Sequence, residues 1–119
     1  ARGIPEDHLT ISSDSNGSMP KWGPNKELIG ITYAKMTSLF GQIKSLVLKK
    51  GMPLERALCF VTRNVAQALE MCPRKGCLAP GSDADLVVID SEMEIQTVVA
   101  KGQVLMEEGE VVKKGLFED

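Results

Sequence analysis

The run Leu9-Thr10-Ile11-Ser12-Ser13 has the β-branched content and flanking turn signals of a short strand, and nothing near it in sequence reads as its partner. The next stretch of strand character begins at Asp85. A strand without a neighbour leaves its main-chain N–H and C=O groups unsatisfied. Between the two, Met19 to Gly30 reads as a loop punctuated by Pro20, Gly23, Pro24 and Gly30, and a loop of that length is uncommon unless it has a function. From Lys35 the period changes: Met36, Leu39, Phe40, Ile43, Leu46, Val47 and Leu48 fit one helical stripe, closed by the stop signal Lys49-Lys50-Gly51. Pro53 opens a second helix carrying Leu54, Ala57, Leu58 and Val61. Thr62 fits the N-cap of a third, with Val65, Ala66 and Leu69 on its apolar face and Pro73 and Gly76 at its exit. The last third changes character again. Asp85–Asp90 is apolar on both faces, which predicts a strand buried in a sheet, and Ile95–Ala100, Gln103–Met106 and Val111–Val112 follow across Gly-containing turns as an antiparallel meander. One lone strand, three helices and a small meander do not make a self-sufficient layered domain. The pattern predicts the end of something larger.

Length agrees. The chain has 119 residues, and a complete (β/α)8 barrel needs roughly 200 to 250. Only five of them are aromatic, so any core leans on Leu, Val, Ile, Met and Ala. A formal net charge of −2 shows no basic excess, which argues against nucleic acid or an anionic membrane as partner. No apolar run approaches the roughly 18 residues of a membrane-spanning helix. The opening Ala1–Asp7 has no apolar signal segment, and the expected compartment is the cytoplasm. Cys59, Cys72 and Cys77 are odd in number and too sparse for a disulfide framework, which fits a reduced chain. The charged tail Lys113–Asp119 reads as loosely held.

Asp14 is the first residue that can carry chemistry. It follows directly on the strand-like run and precedes Ser15-Asn16-Gly17-Ser18, the position at which α/β barrels display catalytic groups. A carboxylate there can bind a metal ion and move a proton between water and a leaving group. The competing reading makes Asp14 a turn cap that accepts the N–H of Asn16 or Gly17. Gly17 would let the main chain approach a ligand closely, and the Ser18 hydroxyl can bond a substrate carboxylate; the competing reading for both is a flexible polar loop. No histidine stands ready to activate Ser18. His8, the single histidine, reads as a turn residue. In Gly76–Asp90, Pro80-Gly81 makes a turn, and Asp83, Asp85 and Asp90 read as turn and strand-end residues.

The stretch Gly76-Cys77-Leu78-Ala79-Pro80-Gly81-Ser82-Asp83-Ala84-Asp85-Leu86-Val87-Val88-Ile89-Asp90 resembles the C-terminal signature of the amidohydrolase superfamily, and Ala57–Leu69 resembles the helix pair that precedes it. Ile11-Ser12-Ser13-Asp14-Ser15-Asn16-Gly17-Ser18 narrows the resemblance to the bacterial isoaspartyl dipeptidases, or β-aspartyl peptidases, from about Gly3 to about Lys114. The resemblance implies an α/β fragment: the last strand and helices of a metal-dependent (β/α)8 barrel in residues 1–72, then short antiparallel strands of a small β-domain in residues 73–119. Within the first part it implies a strand at about 9–13 and helices at about 35–50, 53–61 and 63–71. It further implies hydrolysis of an isoaspartyl dipeptide with two zinc ions. Asp14 would be zinc ligand and proton carrier, Ser18 would hold substrate, and Gly17 would shape the loop. The family's four metal-binding histidines, two of them in a His-x-His pair, its bridging carboxylate and its substrate-binding arginines have no counterpart here, so the expectation is a chain inactive by itself. The rival readings are a dihydroorotase-, hydantoinase- or deacetylase-like amidohydrolase, or a non-catalytic remnant that self-associates. An unpaired strand and an exposed sheet edge predict a homo-oligomer.

Overall fold

In the computed structural model, which describes residues 3–115, contacts fall into two units that divide between Val61 and Thr62. The division falls ahead of the third helix. The reason is local. The Ala66 carbonyl of that helix accepts the N–H groups of Met71 and Cys72, at 2.7 and 3.2 Å, which ties it to what comes after.

In the first unit, helices α1 (Ser38–Leu48) and α2 (Leu54–Cys59) pack on each other and supply the buried Ile43 and Ala57. α1 closes as its sequence predicts: Gly51 donates to Val47 and Met52 to Leu46, both at 3.1 Å. Ahead of the helices the expected strand is absent. Leu9–Ser13 belongs to no ladder among the described residues; its Ile11 N–H donates to the Phe60 carbonyl, at 3.0 Å. A β-branched run has strand preference, but a strand is completed only by neighbours. The segment before it, a single 3-10 turn at Glu6–His8, is tied to α2 by the Glu6–Arg56 ion pair.

The expected loop at Met19–Gly30 is instead a β-hairpin. β1 (Ser18–Trp22) pairs antiparallel with β2 (Leu28–Tyr33), with a bulge between Lys21 and Trp22. Each strand has one open edge, where a proline's missing N–H is tolerated, so Pro20 sits in β1 opposite Ile31. The five-residue connection is held by the Gly23 N–H on the Glu27 carbonyl, at 2.8 Å.

The second unit begins with α3 (Arg63–Ala68), which has Thr62 at its N-cap position and buries Asn64 and Ala66. No buried side-chain nitrogen or oxygen among the described residues lacks a hydrogen-bond partner. Gly76 packs against this helix in the left-handed region, φ +81°, and a Cβ on it would lie 2.6 Å from that of Ala66. No other residue fits that approach without displacing the helix.

Beyond it runs the expected meander: β3 (Leu86–Ile89), β4 (Ile95–Ala100), β5 (Gln103–Glu107) and β6 (Glu110–Val111), antiparallel in sequence order. Val87 and Val88, expected to be buried, are 54% and 48% exposed. A strand apolar on both faces is buried only when layers cover both faces, and a single meander provides no such cover. Of the tail read as loosely held, Leu116–Asp119 lies outside the described residues.

The turn into β3 is held by charge. Lys75 pairs with Asp83 at 2.9 Å and with Asp85, and Asp85 also accepts the Lys101 N–H at 2.7 Å. The Lys75 ammonium, then the Lys101 N–H, hold the Asp85 carboxyl below its ordinary value, and the two carboxylates raise Lys75. A carboxyl lowered on folding stabilises above its unfolded pKa, about 4, and loses that contribution as pH falls through its folded value. A raised lysine stabilises below about 10.4 and loses its contribution as pH rises further. Asp85→Asn is therefore expected to lower the thermal midpoint at pH 7, and the gap to wild type should narrow as pH falls below about 4, toward the lowered folded value of Asp85. Melts followed by circular dichroism across pH 3–8 check this; a gap that stays constant through the acid range contradicts it.

Candidate active site

Asp14 and Gly17 lie in one tight loop between the extended segment and β1, and Ser18 is the first residue of β1. Asp14 and Asn16 both adopt left-handed backbone, φ 48° and 64°, a conformation that Asp and Asn tolerate better than other side chains. The Gly17 N–H donates to the Asp14 carbonyl at 2.9 Å and closes the turn. The Asn16 N–H donates to the Ala34 carbonyl and the Ala34 N–H to the Gly17 carbonyl, each at 3.0 Å. Ser18 then enters β1 opposite Tyr33.

This arrangement leaves the turn-cap reading of Asp14 without its donors. The N–H groups that a capping carboxylate would take are bonded to main-chain carbonyls instead. Among the described residues the Asp14 carboxylate and the Ser18 hydroxyl have no hydrogen-bond partner, and both residues are exposed. The Asp14 carboxyl lies over Gly17: a Cβ there would fall 2.7 Å from Oδ2 and 2.9 Å from Cγ. The loop thus holds an uncommitted carboxylate and a hydroxyl four residues apart, one able to take up a proton and the other able to donate or accept a hydrogen bond.

His8 stands apart in the 3-10 turn, exposed. Cys59, Cys72 and Cys77 are all unpaired. No group of three His, Cys, Asp or Glu side chains that could hold a metal ion occurs among the described residues. A zinc centre needs three or four protein ligands, so these residues do not fit one by themselves, and Asp14 offers a single carboxylate. Asp83, Asp85 and Asp90 are spent on structure; Asp90 accepts from the Glu92 and Glu94 N–H groups, each at 2.9 Å, and from the Gln96 amide. Ala34 is the residue that sequence reasoning misses. Its only signal is its place one step past the β-branched run Leu28–Tyr33, which the surrounding prolines and glycines disguise.

Residues 2–105 match the family model of the amidohydrolase family. The chain belongs to that family. Within it, this amidohydrolase chain is similar to the β-aspartyl dipeptidase of Fervidobacterium islandicum AW-1, solved in complex with a β-Asp-Leu dipeptide: 36% identity and TM-score 0.79, over 95% of this chain and 30% of that one. A second structure of the β-aspartyl dipeptidase of that organism gives 32% identity and TM-score 0.72, over 95% and 26%. Adenine deaminase 2 of Jannaschia sp. (strain CCS1) is 36% identical over 70 residues, 57% of this chain and 11% of that protein. The N-acetylglucosamine-6-phosphate deacetylase of Pasteurella multocida shares the fold alone, at 18% identity and TM-score 0.62 over 82% of this chain and 30% of that one. The amidohydrolase chain therefore spans under a third of each of these proteins. No helix among its described residues is long and apolar enough to cross a membrane.

Proposed function

We propose that this chain is the C-terminal segment of a zinc-dependent amidohydrolase that hydrolyses β-aspartyl dipeptides, comprising the last strand and helices of a (β/α)8 barrel and part of a small β-domain, and that it is inactive alone. The observation that carries the reading is the likeness, over 95% of the chain, to a dipeptidase holding a β-Asp-Leu dipeptide. The extended segment Leu9–Ser13 then takes its place as a barrel strand whose neighbours come from outside this chain. Asp14 contributes one carboxylate to the metal centre and acts on the proton. In hydrolysis, water adds to the peptide carbonyl carbon, and Asp14 takes its proton. When the C–N bond breaks, the same proton passes to the leaving nitrogen, which departs as an amine. The Ser18 hydroxyl holds a substrate carboxylate, with Gly17 shaping the loop around it. The enzyme is cytoplasmic, in keeping with its unpaired cysteines. It is a homo-oligomer, in keeping with Trp22, Ile31 and Tyr33 of the hairpin, each more than half exposed. Sedimentation of the complete enzyme as a clean monomer at micromolar concentration would remove that last element.

The test compares the complete enzyme with this 119-residue chain, assaying β-Asp-Leu cleavage and bound zinc. Cleavage and two zinc ions are expected only of the complete enzyme. Robust turnover by a verified monomer of the chain would overturn the reading.

The match to adenine deaminase 2 favours a second reading, an amidohydrolase of another specificity. Ser18→Ala in the complete enzyme separates the two. A lost hydrogen bond to a charged group costs about 1.5–3 kcal/mol, so KM for β-Asp-Leu is expected to rise about 10- to 100-fold. An unchanged KM would favour the other specificity.

A further inference from the structure

The chain places two residues, Asn16 and Gly17, opposite one, Ala34, where the hairpin ladder runs out beyond Ser18 and Tyr33. Asn16 gives its N–H to the Ala34 carbonyl, and Ala34 gives its N–H to the Gly17 carbonyl. Two residues facing one, with the first in the left-handed region, is the arrangement of a β-bulge, a device that re-aims a side chain beside a site. The Asp14 carboxyl lies over Gly17, and the Gly17 N–H bonds the Asp14 carbonyl. A non-glycine residue at positive φ persists where its surroundings over-determine it, and here there are two within three residues.

We propose that the main chain of Ala34 is a positioning element for Asp14: by clamping Asn16 and Gly17 it holds the loop in the one conformation that presents the Asp14 carboxylate for proton transfer. This rests on the role given to Asp14 above. Ala34 thereby becomes part of the catalytic apparatus without touching substrate.

The test uses the complete enzyme and β-Asp-Leu. Ala34→Pro removes the N–H that Gly17 accepts and keeps the carbonyl, whereas Ala34→Ser keeps both. A misplacement of about 1 Å costs about 100-fold in rate. Ala34→Pro is therefore expected to lower kcat about 10- to 100-fold, with KM within about twofold and the thermal midpoint unchanged. Ala34→Ser should retain the wild-type rate. Amide hydrogen exchange should quicken at Asn16 and Gly17 in the proline variant alone. If Ala34→Pro does not fold, Asn16→Val and Asn16→Gly decide, because a β-branched residue resists positive φ and glycine accepts it. Loss of kcat in Asn16→Val with retention in Asn16→Gly supports the clamp. Wild-type kcat in Ala34→Pro, or in Asn16→Val, overturns it. Asp14→Asn, run alongside, tests the underlying reading separately: full activity there means that the role of Asp14 is wrong, whatever the clamp variants do.

Discussion

Replacing Asp14 with Asn in the complete enzyme is expected to lower kcat for β-Asp-Leu by about 1,000- to 10,000-fold, the upper range for loss of a proton-transferring group. Asparagine keeps the size of the side chain and the Asx tolerance of positive φ, so the turn closed by the Gly17 N–H should survive. What it removes is the basic oxygen. Because the carboxylate has no hydrogen-bond partner among the described residues, the substitution strands no buried donor, and with metal removed from both proteins the thermal midpoint should stay near that of wild type. The combination is diagnostic: large loss of kcat, small change in KM, and unchanged melting of the metal-free proteins. A residue that merely capped the turn would show the reverse, a lowered midpoint with turnover intact. Steady-state kinetics, and a melt of the same preparation after metal removal, decide it.

The second large effect is expected at Gly17. A Cβ there would lie 2.7 Å from Asp14 Oδ2, 2.9 Å from Cγ and 2.9 Å from the Asp14 carbonyl oxygen. The first two atoms belong to a movable carboxyl group that can swing aside, but the third is main chain, so Gly17→Ala also has to shift the turn closed by the Gly17 N–H. The consequence is both functional and structural. A carboxylate moved by about an ångström is expected to cost about 100-fold in kcat, together with a lowered thermal midpoint from the disturbed turn. A crystal structure of the variant should show the Asp14 side chain rotated away from residue 17. Unchanged kcat would mean that the carboxylate works from a different rotamer than the one lying over Gly17.

These predictions rest on a loop whose residue types are plain in the sequence and whose geometry is not. The order Asp14, Asn16, Gly17, Ser18 after a β-branched run marks a turn beside a strand end, because Asp, Asn and Gly are the residues that tolerate tight turns. The four strands after Asp85 are legible for a similar reason: each runs to its neighbour across a short turn, so pairing is local. The helices are legible from spacing and stop signals, and α1 ends at the Lys49-Lys50-Gly51 signal. The hairpin is not. Pro20, Gly23, Pro24 and Gly30 each argue against a strand when read singly, yet two of them lie in a two-stranded ribbon whose open edges forgive them and two in its connection. Leu9–Ser13 fails in the opposite sense, with strand preference and no ladder among the described residues.

From sequence alone, then, came the family signature across Gly76–Asp90, the helices, the meander and the identity of the groups able to do chemistry, all of them properties of residues close together along the chain. Only the tertiary structure decided that Ala34 clamps the loop and that Asp14 lies over Gly17 rather than capping the N–H groups beside it. Ala34 is seventeen residues from Gly17, and they meet through the hairpin register, which no local preference encodes. Once the main-chain carbonyls of Ala34 and Asp14 take the Asn16 and Gly17 N–H groups, the Asp14 carboxylate has none left to cap and stays open to solvent.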